Sequence, residues 1–304
     1  MSFELVILGS SSSTPTRSRH PSAQLLKINT EMILIDCGEG TQNQLLRYKI
    51  NHNKIGHIFI SHMHGDHWLG LPGLLATMNV QGRKLPLDIY CPEELEFLIN
   101  LQFKLSDTEI NFEINYHKIK AEVSEIIMKT MDFHVYNLPL QHRVPTNGFL
   151  FKEKSYGRKI NKQECDKLGI EVESYADLRA GKDFVTSDGK TIPNKKLTFD
   201  PRKSFNFAYI SDTIYDEALV EHIKGFDLLY HEATFLHDLF LRAKETFHST
   251  ALQAAKIASR AKVKQLVIGH FSARYTDLQG HLDEAKDVFE NTFLAIEGEK
   301  FRLR

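Results

Sequence analysis

The sequence predicts a layered α/β fold. Two observations carry this reading: short apolar runs of strand length recur along the chain, and helical segments alternate with them through mixed connections. The 304-residue length allows one large domain or two small ones, with a sizeable core. Composition is ordinary for a globular protein, and a formal net charge of −1 announces no global attraction to nucleic acid. A local basic patch would still suffice for RNA. Cys37, Cys91 and Cys165 are far apart and odd in number, so free thiols in a reducing compartment are expected, not a disulfide framework. No Cys-x-x-Cys pair offers a thiolate zinc site. Met1-Ser2-Phe3-Glu4 has no basic region ahead of its short apolar run, so no signal peptide is expected, and no apolar stretch is long enough to span a bilayer. A soluble cytoplasmic protein is the expectation.

Residues 3–8 read as a strand that breaks at Gly9 and a serine run. Residues 23–28 and 32–36 are the next strands, bridged by Asn29-Thr30-Glu31. Gly38-Glu39-Gly40 ends the second, and residues 41–48 read as a helix. Residues 55–61 form an apolar strand, and Gly70-Leu71-Pro72-Gly73 opens a helix through Met78. Residues 87–91 are a strand and 93–105 a helix; 110–116, 124–129, 133–138, 147–151 and 205–210 are strands. Two short strands follow at 228–230 and 266–268. Residues 249–261 are a helix with Ala251, Ala254, Ala255 and Ala258 at helical spacing and Ser249 as its cap, and 283–293 are another.

Residues 152–203 differ. This long polar connection carries thirteen Lys/Arg against nine Asp/Glu, so it is +4 while the remainder of the chain is −5. A structureless connection of this length is usually functional or disordered. Its charge suits an arm that projects from the core and touches a polyanion, and suits a solvated insertion as well. Residues 1–304 are read as one domain with 152–203 inserted in it.

The densest chemical signal is His62-x-His64-x-Asp66-His67, directly after the strand at residues 55–61. Four metal-capable side chains fall within six residues, and imidazole nitrogen and carboxylate oxygen are ligands that zinc and similar ions prefer. A lone His after a strand is usually an ordinary loop residue and a lone Asp a turn former, but four such groups rarely converge without a metal. The same grammar recurs downstream. His142 follows Leu138-Pro139-Leu140-Gln141, Asp212 follows Phe207-Ala208-Tyr209-Ile210-Ser211, and His270 follows Leu266-Val267-Ile268-Gly269. Each sits just past a strand end, where sites in layered α/β folds are built. The pattern points to metal-assisted hydrolysis, because a bound metal lowers the pKa of water to ~7.

His62, His64, Asp66 and His67 followed by His142, Asp212 and His270 resemble the ligand order of the metallo-β-lactamase superfamily. Asp36-Cys37-Gly38-Glu39-Gly40-Thr41-Gln42, Gly70-Leu71-Pro72-Gly73 and His231-Glu232-Ala233-Thr234-Phe235 narrow the resemblance. So do His248-Ser249-Thr250-Ala251 and Gly269-His270-Phe271-Ser272-Ala273-Arg274-Tyr275. Over nearly the whole chain the sequence is similar to the ribonuclease Z branch, the tRNA 3′-processing endonucleases, at the length of the short form.

The resemblance implies an αββα sandwich of two mixed sheets with outer helices and a protruding arm. It implies two Zn²⁺ per subunit, with Mn²⁺ as an accepted substitute. One ion would take His62, His64 and His142, the other Asp66, His67 and His270, and Asp212 would bridge them. A carboxylate suits the bridge, since its two oxygens can span ions ~3.5–4 Å apart. Asp66 would also accept the proton of the attacking water, His248 would protonate the leaving 3′ oxygen, and Glu232 would orient His248 and raise its pKa. Arg17, Arg19 and Arg274 are candidates for backbone phosphates, and Glu39 and Thr41 for supporting the metal loops.

The implied substrate is precursor tRNA, cut to leave a 3′-hydroxyl on the tRNA and a 5′-phosphate on the trailer, with no organic cofactor and no membrane. A homodimer is implied, with the arm of one subunit serving the active site of the other. Residues 152–203 stand where the family's arm grips the tRNA elbow. Residues 178–182 and Asp188-Gly189-Lys190 fit that arm, while Gly169-Ile170-Glu171-Val172 replaces its Gly-Pro-rich stretch. The alternative is another hydrolase on the same fold: a small-molecule phosphodiesterase, or a glyoxalase II-like thioesterase or lactonase. Such an enzyme has little use for a long basic arm.

Overall fold

A computed structural model describes residues 3–303. Met1 and Ser2, where the segment read as lacking a leader begins, lie outside the described residues. Strand Phe3–Gly9 shows how the core forms. Val6 and Leu8 join an apolar cluster with Leu25, Leu34 and Ile58, while Leu5 and Ile7 on the opposite face are equally buried. Successive side chains of a strand face opposite ways, so a strand covered on both faces reads as a continuous apolar run.

That strand belongs to a seven-stranded mixed sheet in the order Lys300–Leu303, Phe3–Gly9, Ala23–Ile28, Glu31–Ile35, His57–Phe59, Leu87–Cys91, Ile114–Lys118. The first four strands pair antiparallel and the later ones parallel. A second seven-stranded sheet runs Thr292–Leu294, Leu266–Gly269, Leu228–Glu232, Asn206–Ile210, Thr146–Glu153, Phe133–Leu140, Ile126–Lys129. Phe59 of the first sheet meets Phe149 and Phe151 of the second edge to face, with centroids 5.2 and 5.7 Å apart. Helices Thr41–Arg47, Leu71–Val80 and Glu93–Leu105 bury Leu45, Leu74, Leu75, Leu95 and Ile99 against the outside of the first sheet. Helix Ala251–Ala261 packs on strands Leu228–Glu232 and Leu266–Gly269 of the second. The layers are helix, sheet, sheet, helix, as the αββα reading expects.

Several element boundaries move for identifiable reasons. The strand expected at 55–61 pairs only over His57–Phe59, because Ser61 N–H turns to the Asp36 carboxylate. The strand expected at 110–116 is Ile114–Lys118, whose register is set by its parallel partner, Leu87 opposite Ile114. The helix cap is Thr250 rather than Ser249: its hydroxyl accepts from Gln253 N–H in a capping box. The helix expected at 283–293 is Gln279–Lys286, and Thr292–Leu294 is a strand pairing parallel with Leu266–Ile268, so sheet pairing overrides helical spacing there.

Met131–Phe133 and Lys152–Phe205 form a compact unit of their own. It holds helices Lys162–Lys167, Tyr175–Arg179 and Asn194–Leu197, and two small antiparallel pairs. Cys165, Ile170, Leu178 and Leu197 make its core. The Asn194 amide ties it together, donating to Leu178 O and Lys182 O at 2.9 and 2.7 Å. No helix among the described residues is long and apolar enough to cross a membrane.

Candidate metal centre and active site

Strand ends build the site. After His57–Phe59 the chain leaves the sheet, His62 and His64 follow in the loop, and the short helix Gly65–Trp68 carries Asp66 and His67. His142 follows strand Phe133–Leu140, Asp212 follows Asn206–Ile210, and His270 follows Leu266–Gly269. The structure brings all seven together. His62, His64, His142 and Asp212 form one group and Asp66, His67 and His270 another, with the ligand atoms of each within 4.8 Å of one another. Asp212, His248 and His270 form an overlapping third group by the same measure.

Asp212 gives one oxygen to each side. Its Oδ2 lies 3.6 Å from His62 Nε2 and 3.7 Å from His142 Nε2. Its Oδ1 lies 3.5 Å from His67 Nε2 and 3.2 Å from His270 Nε2. His64 Nδ1 lies 3.0 Å from His62 Nε2 and 3.2 Å from His142 Nε2. Asp66 Oδ2 lies 3.5 Å from His67 Nε2 and 3.4 Å from His270 Nε2. Tetrahedral coordination with bonds of ~2.0–2.1 Å sets ligand atoms ~3.4 Å apart, so both groups are sized for a divalent ion. His67 Nε2 is buried without a hydrogen-bond partner, a cost of roughly 1–3 kcal/mol that a ligand there removes. The donor set and the spacing fit a divalent metal.

Hydrogen bonds behind the ligands fix which ring nitrogen faces inward. His67 Nδ1 lies 2.8 Å from Asp36 Oδ2, and His62 Nδ1 lies 3.0 Å from Ser61 Oγ. His142 Nδ1 is 2.8 Å from Phe247 O, and His270 Nδ1 is 2.9 Å from Thr234 Oγ1. Such partners hold imidazole ligands in one tautomer and orientation. The Asp36 carboxylate also accepts from Ser61 Oγ at 3.0 Å and Tyr209 OH at 2.6 Å. Asp36 and His270 both adopt positive φ, 57° and 59°, which costs a residue with a Cβ on the order of 1–3 kcal/mol and persists where the surroundings enforce it.

Charge follows the same plan. Burial pushes His62 well below the usual imidazole range and His142 down to about 4. Burial opposes ionisation of Asp66 and Asp212, but His67 and His270 hold both carboxyls below their ordinary values. Neutral imidazoles and ionised carboxylates are the ligating forms. Burial also depresses His67, yet Asp212, Asp66 and Asp36 around it raise it well above its usual value. Three carboxylates at one buried point call for positive charge.

His248 stands next to this cluster, its ring 5.0 Å from His142 and 5.4 Å from His270. Its Nδ1 lies 2.9 Å from Glu232 Oε1. Burial lowers its pKa, but the Glu232 carboxylate outweighs that and the net direction is up. Glu232 is itself held by Thr213 N–H and Thr234 N–H, each at 3.0 Å, and by Thr234 Oγ1–H at 2.8 Å.

The arginines separate. Arg19 is buried and donates through Nη2 to Tyr275 O at 2.8 Å and Ser272 O at 3.3 Å, so it braces the loop after His270. Arg17 is exposed and does not line the metal cavity. Arg274 sits 5.1 Å over the Phe235 ring and lines a neighbouring cavity with Arg143 and Arg242. The serine loop reaches the cluster by another route: Ser13 N–H donates to Asp66 Oδ2 at 2.6 Å. Glu39 is exposed and lines the metal cavity of about 250 Å³, while Thr41 Oγ1 donates to Gly38 O at 2.7 Å. The buttressing expected of that pair falls mainly to Asp36, Ser61 and Thr234. Asp36 carried a signal that sequence reasoning passed over, since it too ends an apolar strand.

A family profile described as "Anti-Pycsar protein Apyc1" matches residues 3–165, a stretch that holds His62 to His142 and stops before Asp212, His248 and His270. A protein of Cytophaga hutchinsonii named ribonuclease Z is 47% identical over 302 residues, which cover 99% of this chain and 96% of that one. The crystal structure of human tRNase Z, short form, matches with a TM-score of 0.71 at 28% identity over 98% of both chains. A metallo-β-lactamase fold protein of Bacillus subtilis matches with a TM-score of 0.69 at 18% identity over 99% of both, a likeness of fold alone. Residues 3–165 thus belong to the family described as Apyc1, and the chain as a whole belongs to the ribonuclease Z family, on the metallo-β-lactamase fold.

Proposed function

We propose that this protein is a metal-dependent endoribonuclease that removes the 3′ trailer from precursor tRNA. The carrying observation is the seven-residue cluster in which Asp212 turns one oxygen to each ligand group, with the His248–Glu232 pair beside it. Membership of the ribonuclease Z family supports tRNA as the substrate. We assign His62, His64 and His142 to one ion, Asp66, His67 and His270 to the other, and Asp212 to both. Zinc is the metal that this His/Asp set favours, with Mn²⁺ an accepted substitute. Ions held there supply positive charge against the phosphoryl oxygens and make water a stronger acid.

The chain's own residues do the rest. The oxygen of water bonds to phosphorus and the P–O3′ bond breaks. Asp66 takes the proton from the water, and His248 gives one to the departing 3′ oxygen. Glu232 holds His248 protonated and aimed. The tRNA keeps a 3′-hydroxyl and the trailer a 5′-phosphate. Residues 152–203 are assigned as the arm that grips the tRNA elbow, and a homodimer supplies it to the active site of the other subunit. Cys37, Cys91 and Cys165 are free and buried, which supports a reducing, cytoplasmic setting.

Assaying the protein and its His67→Ala variant on a precursor tRNA, a small phosphodiester and a thioester separates the readings. The proposal expects the precursor to be the preferred substrate, with cleavage abolished and tRNA binding largely kept in the variant. A thioester preference, or cleavage that survives His67→Ala, would overturn it.

A further inference from the structure

Three cavities share His248 as a wall. One is the metal cavity. A second, about 310 Å³, presents Arg143, Arg242 and Arg274. The third, about 160 Å³, is formed by Ile214, Tyr215, Phe240, Lys244 and Gln253 with His248 itself. Nothing in the reaction as described uses the third.

The geometry points to that small cavity as the pocket for the nucleobase immediately 5′ of the cut. This inference rests on the ribonuclease reading. The atom that needs His248's proton is O3′, and O3′ belongs to the nucleotide on the 5′ side of the scissile phosphate. A proton donor must lie within about 2.6–3.2 Å of its acceptor, so that nucleotide's ribose sits against His248. Its base then needs a space that borders His248 and is lined by none of the seven metal-group residues, as the second and third cavities are. The arginine-lined cavity suits backbone phosphates. The small one suits a base. A volume near 160 Å³ is well below the roughly 300–1,000 Å³ of pockets for drug-sized ligands, so it takes one planar ring system and no strand.

Its walls match that occupant. Phe240 opens helix Phe240–Thr246 and is 38% exposed, its ring 5.4 Å from that of His237, so it brings partly exposed aromatic surface to the site. Tyr215 and Ile214 supply further apolar surface, both half-buried. Gln253 Oε1 is engaged by Thr250 N–H at 3.0 Å, so its amide nitrogen is the end left to donate. Lys244 is exposed and brings a second donor. Base–aromatic stacking tolerates any base, so the pocket would position the nucleotide without restricting the enzyme to one sequence.

The test compares two precursor tRNAs, one intact and one lacking the base immediately 5′ of the cut. The parent protein should cut the base-less substrate roughly ten- to hundredfold less efficiently, by kcat/KM. Phe240→Ala should lose a similar factor on the intact substrate and almost nothing on the base-less one, and Phe240→Tyr should restore activity. Equal losses on both substrates, or no loss on either, would overturn the base pocket. Failure of the parent protein to cut the intact precursor would instead remove the ribonuclease reading on which the pocket rests.

Discussion

His248 stands between the buried Glu232 carboxylate and the cavity lined by His64, Asp66 and Asp212, and the proposed reaction makes it the acid that protonates the leaving 3′ oxygen. Replacing it by Ala should lower kcat on precursor tRNA by about 10²–10⁴, the usual worth of a positioned general acid. The loss should be far smaller on bis(p-nitrophenyl) phosphate, whose leaving group departs without a proton. Equal losses on the two substrates would remove the acid role. A second prediction concerns His281, which lies buried with neither ring nitrogen hydrogen-bonded, edge-on to the rings of Phe271 and Tyr275. Burial, aided by Arg19, brings its pKa down to about 4. The unfolded chain therefore takes up this proton first, near pH 6.5. His281 contributes stability above that pH that is lost as pH falls toward 4, on the order of 3 kcal/mol. Urea titrations of His281→Leu should show this pH dependence flattened; an unchanged slope would contradict the assignment. The seven residues that the structure brings together were legible in sequence because four strand ends repeat one grammar, an apolar run followed by one or more metal-capable residues. His248 and Glu232 were legible only through the family motifs, since one His before a helix and one Glu at a strand end carry no pattern. Arg19 misled because a basic loop residue reads as a phosphate contact until its burial is seen.

At the level of elements, the metal loop is locked by close backbone approach. Cys37 N–H donates to His67 O at 2.7 Å and Gly70 N–H to Cys37 O at 2.9 Å, joining the turn after strand Glu31–Ile35 to helix Gly65–Trp68. A Cβ on Gly70 would lie 2.1 Å from Gly38 O, and one on Gly38 2.4 Å from Asp66 O. Backbone cannot swing aside as a side chain can. Gly70→Ala should therefore cost about 1–3 kcal/mol, read as a lower urea midpoint at constant m, and activity should fall with it. An unchanged midpoint would show that the loop has slack. Period and composition revealed most strands and helices, and strand pairing decided their ends. Thr292–Leu294 illustrates this: its spacing continues a helix, while its β-favouring side chains complete a ladder with Leu266–Ile268.

At the scale of the whole molecule, charge is unevenly spread. The segment at residues 152–203 carries net +4 on a chain that is otherwise −5. Replacing it with a short turn should leave cleavage of small phosphodiesters intact and abolish cleavage of precursor tRNA. Parallel loss on both substrates would contradict the role in tRNA binding proposed for this segment. Its charge density was plain in the sequence and its structure was not, because Cys165, Ile170, Leu178 and Leu197 are scattered among polar residues without helical or strand period and meet only in the folded unit. The central claim joins the metal cluster to one cut in one substrate. Incubating the purified protein with a precursor tRNA that bears a 3′ trailer, with and without chelator, tests it directly. The account predicts a single cut leaving a 3′-hydroxyl on the tRNA and a 5′-phosphate on the trailer, lost on chelation and restored by zinc. A cut that survives chelation, or a trailer that is never removed, would contradict it.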